Sequence, residues 1–132
     1  MTFDVPFDDV HDVRESGLRV RREVVGAEYV ARAFADADAF TRPLQELVTD
    51  YCWGAVWARP ELARRERSMI TLAMLTVLGR PTELATHVRG ALTNGVTPDE
   101  IREVLLQTAV YAGVPAAVEA FRVAAPIVEE HR

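Results

Sequence analysis

Apolar residues recur along the chain at intervals of three and four, and few β-branched or aromatic runs alternate with the period of a strand. The pattern predicts an all-α fold, a compact helical domain of about six to seven helices. The first sixteen residues read as an irregular segment. A short helix is expected over Gly17 to Val25 with Gly26 as its stop, and a second over Glu28 to Ala35, where Tyr29, Ala33 and Phe34 share a face. Asp36 to Phe40 connects to a long helix that Thr41 caps, with Pro43 in its first turn. It runs through Leu44, Leu47, Val48, Tyr51 and Cys52 to Trp57 and ends at Arg59 and Pro60.

Pro60 and Glu61 then open a short helix that leads into a longer one from about Arg65 to Leu78, buried through Met69, Leu72, Ala73 and Leu75 and stopped by Gly79 and Pro81. Thr82 is the expected cap of the next helix, which carries Leu84, Val88, Ala91 and Leu92 and stops at Asn94-Gly95. Thr97-Pro98-Asp99-Glu100 has the form of a capping box, followed by an inward stripe of Ile101, Val104, Leu105, Thr108 and Ala112. Gly113 closes that helix. Pro115 opens the last, which runs to about Glu129 with a kink or early stop at Pro126.

Length and composition narrow the picture. At 132 residues and about half hydrophobic, the chain suits one domain, 1–132, with one core. A net charge of -5, with no basic tail, speaks against a nucleic-acid surface. A DNA-reading helix-turn-helix over Glu83 to Tyr111 fails on its second helix, which sets Asp99, Glu100 and Glu103 against Arg102 alone. Met69 to Leu78, the longest apolar stretch, is far short of the roughly 18 residues of a membrane span. The acidic N-terminus lacks the basic start of a secretory signal, so a cytoplasmic location without nucleic-acid or membrane partners is expected. The lone Cys52 permits no internal disulfide and reads as core.

Candidate chemistry gathers in the second half. Glu83 and His87 stand four apart, on one helix face, where a carboxylate can orient an imidazole or hold its proton; the same spacing also describes an ordinary solvated helix pair. Two ligands fall short of the three that a catalytic zinc needs, and no metal is expected. Arg64, Arg65, Arg67, Arg80 and Arg89 crowd this pair and suit an anionic ligand, or else surface pairing with Glu61, Glu66 and Glu83. The Trp53-Gly54-Ala55-Val56-Trp57 stretch either lines a pocket or packs in the core.

Several segments together are similar to those of one family. Tyr51-Cys52-Trp53-Gly54-Ala55-Val56-Trp57-Ala58-Arg59-Pro60, Arg67-Ser68, Leu72-Ala73-Met74-Leu75, Glu83 to Arg89, Asn94 to Thr97, Glu100 to Val104 and Tyr111 to Ala117 resemble the recurring segments of the carboxymuconolactone decarboxylase family, over about Gly17 to Val128. The resemblance implies an alkyl-hydroperoxidase-D-like fold. It does not carry that superfamily's thiol reduction, because Arg80 and Glu83 occupy the two cysteine positions. It further implies conversion of γ-carboxymuconolactone to β-ketoadipate enol-lactone and CO2, in the protocatechuate branch of aromatic degradation, with no cofactor. His87, Glu83 and Arg67 are the expected catalytic residues, with Arg89, Trp53, Trp57 and Tyr111 as substrate-binding residues, in a homohexamer. A related lactone hydrolase or isomerase, or a non-catalytic oligomeric ligand-binding homologue, stays open.

Overall fold

All regular structure among the described residues, 10–131 of a computed structural model, is helical. Packing divides the chain after Glu61 into two units with separate cores.

The N-terminal unit holds α1 (Val10–Val25), α2 (Ala27–Ala35), α3 (Arg42–Leu47) and a π-helical segment (Val48–Trp57) that continues α3. The helix expected from Gly17 starts earlier, so residues 10–16 are helical rather than irregular, and 1–9 lie outside the described residues. Gly17 is therefore an interior residue of α1, and its role is steric. A Cβ there would stand 2.2 Å from the Thr49 carbonyl oxygen, and one on Gly54 would stand 2.4 Å from that of Val13. The two glycines let α1 and the π segment touch backbone to backbone. Val20, Val24 and Trp53 form the core beside this crossing, with Val48, Cys52 and Trp57 packed against it.

The long helix expected over Thr41 to Trp57 is continuous but changes type. Over Val48–Trp57 it is π-helical, and at its end the Ala58 N–H donates five residues back, to the Trp53 carbonyl at 3.0 Å. Thr41 stands at the N-cap of α3 without capping it; its hydroxyl accepts from the Asp38 N–H, while the Asp38 carboxylate accepts from the Phe40 and Thr41 N–H groups.

The C-terminal unit is made of α4 (Arg64–Leu78), α5 (Pro81–Thr93), α6 (Pro98–Ala112) and α7 (Val114–His131). Helix α4 packs on α5 and α6, and α7 on the same two. Leu72, Leu84, Val88, Ala91, Ile101, Leu105, Ala120, Ala124 and Ile127 fill the space among them. Backbone signals set the helix ends. At α5 the Val96 N–H reaches the Ala91 carbonyl and the Gly95 N–H that of Leu92, a Schellman stop that needs the φ of 87° only glycine takes freely. At α6 the Thr97 hydroxyl accepts from the Glu100 N–H (3.1 Å) and the Glu100 carboxylate from the Thr97 N–H (3.0 Å), completing the box.

Four expectations change. Pro60 starts no helix, and residues 60–62 form turns and a bend. Pro81 opens α5 rather than following a stop, so Arg80, not Thr82, is its N-cap. Ala112 is exposed, outside the inward stripe of α6. Pro126 does not stop α7, which runs on to His131. No helix of the described residues is long and apolar enough to cross a membrane.

Candidate active site

Helix α5 presents the expected pair. Glu83 lies in its first turn, exposed, and His87 follows one turn later, half-buried with Nδ1 shut off from solvent. Burial pushes the imidazole pKa below its ordinary value, and the Glu83 carboxylate pulls the other way without offsetting it. At neutral pH His87 is therefore a neutral imidazole. In that state it offers one N–H as a donor and the other nitrogen as an acceptor.

The first turn of α4 carries Arg67, half-buried, with its Nε shut off from solvent. Beside it Ser68 is fully buried, and the Asn94 side-chain amide donates to the Ser68 hydroxyl at 2.9 Å. Because α4 and α5 form a hairpin across a two-residue turn, this bond sets Arg67 level with the C-terminal end of α5. His87, seven residues before Asn94, stands about 10 Å away along the helix rise. One chain thus brings Glu83 and His87 together on α5, with Arg67 on the neighbouring α4. Arg89, two residues past His87, points away from the Glu83–His87 face and is exposed.

The remaining expected residues lie elsewhere. Tyr111, 85% exposed in the last turn of α6, borders an apolar groove of about 330 Å³ with Met69, Ile70, Ala73, Val77 and Val104. Trp53 and Trp57 belong to the N-terminal unit, their ring centres 4.8 Å apart and tilted by 33°. Trp53 is buried in that unit's core. Of the other arginines near the helix pair, Arg65 forms an ion pair with Glu100 and lies 3.9 Å from Glu66. No three His, Cys, Asp or Glu side chains among the described residues gather as metal ligands.

Two polar features escaped the sequence reading. Ser68 and Asn94 carry no spacing signal, since they are 26 positions apart. Arg21 did carry one: Gly17, Val20, Arg21 and Val24 follow the i, i+3, i+4, i+7 rule of a buried stripe, and Arg21 is only 5% exposed.

The model of the carboxymuconolactone decarboxylase family matches residues 42–126. The chain belongs to that family. It is 46% identical over 121 residues to a nitrosuccinic acid decarboxylase of Metarhizium robertsii, covering 91% of this chain and 85% of that protein. It is 40% identical over 116 residues to a 4-carboxymuconolactone decarboxylase of Acinetobacter baylyi, covering 88% and 87%. In this chain Glu83 and His87 share one face of α5, and Arg67 directly precedes the Ser68 that bonds Asn94.

Proposed function

We infer that this protein is a cofactor-independent decarboxylase that converts γ-carboxymuconolactone to β-ketoadipate enol-lactone and CO2. Family membership supports the reaction class, and the half-buried imidazole of His87 beside Glu83, its pKa lowered by burial, is the observation that carries the chemistry. The substrate supplies its own electron sink. As the bond to the ring carboxylate breaks, its electron pair moves through the ring double bond onto the lactone carbonyl oxygen, CO2 departs, and a dienolate remains. A proton drawn from solvent then adds to the carbon beside the carbonyl.

A neutral imidazole suits the first half of this sequence, in which charge arrives on the lactone oxygen. Its N–H donates to the developing oxyanion in a site partly shielded from water, where such a bond is strongest. Glu83 orients the ring and favours its N–H donor state. Arg67 serves as the anchor for a substrate carboxylate, and Arg89, facing away from His87 in its own chain, suits a neighbouring copy. Exposed Ile70, Met74, Val77, Leu106 and Val110 on α4 and α6 supply apolar surface for the homohexamer in which such sharing takes place.

A second substrate is favoured by the relative at 46% identity, whose name specifies nitrosuccinic acid. That acid also has two carboxylates and an internal sink, because a nitro group takes up the electron pair as a nitronate. Direct measurement of CO2 from each acid, with purified protein and a strong chelator, tests both. Release of CO2 from the lactone at the higher kcat/KM is the expected result. Consumption of the lactone without CO2 would make the protein a hydrolase or isomerase, and preference for the nitro acid would reassign the substrate. The rate should fall on the acid side as His87 takes up a proton, with a midpoint below the ordinary histidine value because its pKa is lowered.

A further inference from the structure

Helices α1, α2 and α3 border a groove of about 300 Å³ within the N-terminal unit. Leu18, Val30, Ala31 and Phe34 give it an apolar lining, and three arginines, Arg14, Arg22 and Arg42, stand around it against one acid, Glu46. Arg14 is already engaged: it grips Asp50 through hydrogen bonds of 2.8 and 3.0 Å and lies 3.8 Å from Glu46. Arg22 and Arg42 are exposed and make the rim of the groove basic. An occupant that suits both lining and rim carries apolar side chains on one side and carboxylates on the other.

The sequence has such a stretch immediately before α1. In residues 1–9, Phe3, Val5 and Phe7 alternate with Asp4, Pro6 and Asp8, Asp9 follows, and no Lys or Arg occurs. An extended chain would put positions 3, 5 and 7 on one side and the carboxylates of positions 4 and 8 on the other. The reach fits as well. Position 10, where α1 begins, continues the four-residue register of Arg14, Leu18 and Arg22, so the chain enters α1 in line with the groove. From Arg14 to Arg22 the helix rises about 12 Å, and residues 3–7 span about 13 Å when extended.

We propose that residues 1–9 turn back along α1 and dock in this groove of their own chain, with Phe3, Val5 and Phe7 on the apolar lining and Asp4 toward Arg22 and Arg42. The short tether favours this over the same segment of a second copy, because it holds the segment at a local concentration far above that of dissolved protein. The docking is independent of the chemistry at His87.

Disulfide trapping in the full chain tests it. In a Cys52→Ser background, Val5→Cys is combined either with Leu18→Cys, inside the groove, or with Arg19→Cys, one residue on, more exposed and turned about 100° away. Under mild oxidation the Leu18→Cys pair should close within one chain about tenfold faster than the Arg19→Cys pair, which a merely tethered segment reaches as readily. Adding Arg22→Gln and Arg42→Gln should slow that closure about three- to tenfold. Equal rates at the two positions, or closure indifferent to the arginines, would overturn the proposal. A product of twice the chain's mass would instead seat the segment on a second copy and overturn it too. In the chain with its native cysteine, Asp4→Asn, Asp8→Asn and Asp9→Asn together should speed amide hydrogen exchange in α2, and unchanged exchange would count against the docking without any engineered thiol.

Discussion

Gly17 and Gly54 join α1 to the π segment by lacking a side chain, whereas Gly79 and Gly95 serve the C-terminal unit through their backbone conformation. A Cβ at either of the first pair would run into backbone; a Cβ at Gly79 or Gly95 would meet nothing within 4 Å but would sit at positive φ. The N-terminal unit is thus held by contact, and its most closely packed atoms are main-chain. The C-terminal unit is held by a side-chain core among four helices whose ends are fixed by caps and Schellman stops. The lesson concerns where each unit can change. The first has no slack at its crossing, while the second can vary along its helix faces as long as its ends keep their geometry.

The largest effect expected is on catalysis, and it assigns chemistry to the C-terminal unit. His87→Ala should lower turnover about 10²–10³-fold with helix content intact by circular dichroism, since it removes a donor to the developing oxyanion. Arg67→Ala should lower turnover and also raise KM; Glu83→Gln should be milder than His87→Ala. Wild-type rates from all three would remove this helix pair from the mechanism.

Next comes the steric side of the comparison. Gly17→Ala should cost about 1–3 kcal/mol in urea unfolding, or more, because the overlapping atom is a carbonyl oxygen that cannot rotate aside. Gly95→Ala should cost about 1–2 kcal/mol from left-handed backbone alone. Asparagine sharpens the distinction: it tolerates that backbone, so Gly95→Asn should be milder than Gly95→Ala, while Gly17→Asn should be worse than Gly17→Ala. The same order at both sites would erase the difference between the units. The smallest effect is at the α6 cap, where Thr97→Ala should cost about 1 kcal/mol and Thr97→Ser much less.

Much of the C-terminal unit was legible because its signals are local. A box of four residues, or a glycine following an apolar stripe, fixes a helix end without help from distant sequence, as Thr97 to Glu100 and Asn94-Gly95 do. Long-range contacts were not legible. The π segment has the apolar composition of an ordinary helix, and its close crossing with α1 pairs Gly17 with Thr49 and Gly54 with Val13, positions far apart in sequence. Thr82 and Pro60 carried acceptable local signals that neighbouring residues overrode. In the candidate site, helical spacing correctly joined Glu83 to His87. The same rule separates His87 from Arg89, and no pattern could foretell the Ser68–Asn94 bond that joins the start of α4 to the end of α5.

Glu100 carries two duties on one carboxylate. It closes the cap of α6 and it holds Arg65 on α4, and these hydrogen bonds, that from Thr97 first and that from Arg65 second, keep its carboxyl below the usual carboxylate range. Its contribution to stability is therefore complete above the unfolded-state value near 4.5 and is lost as pH falls through the lower folded-state value. A single proton would release the start of one helix and the tether to another in the same event. Acid would thus loosen the start of α6 and its tie to α4 together, without touching the apolar core that holds the four helices.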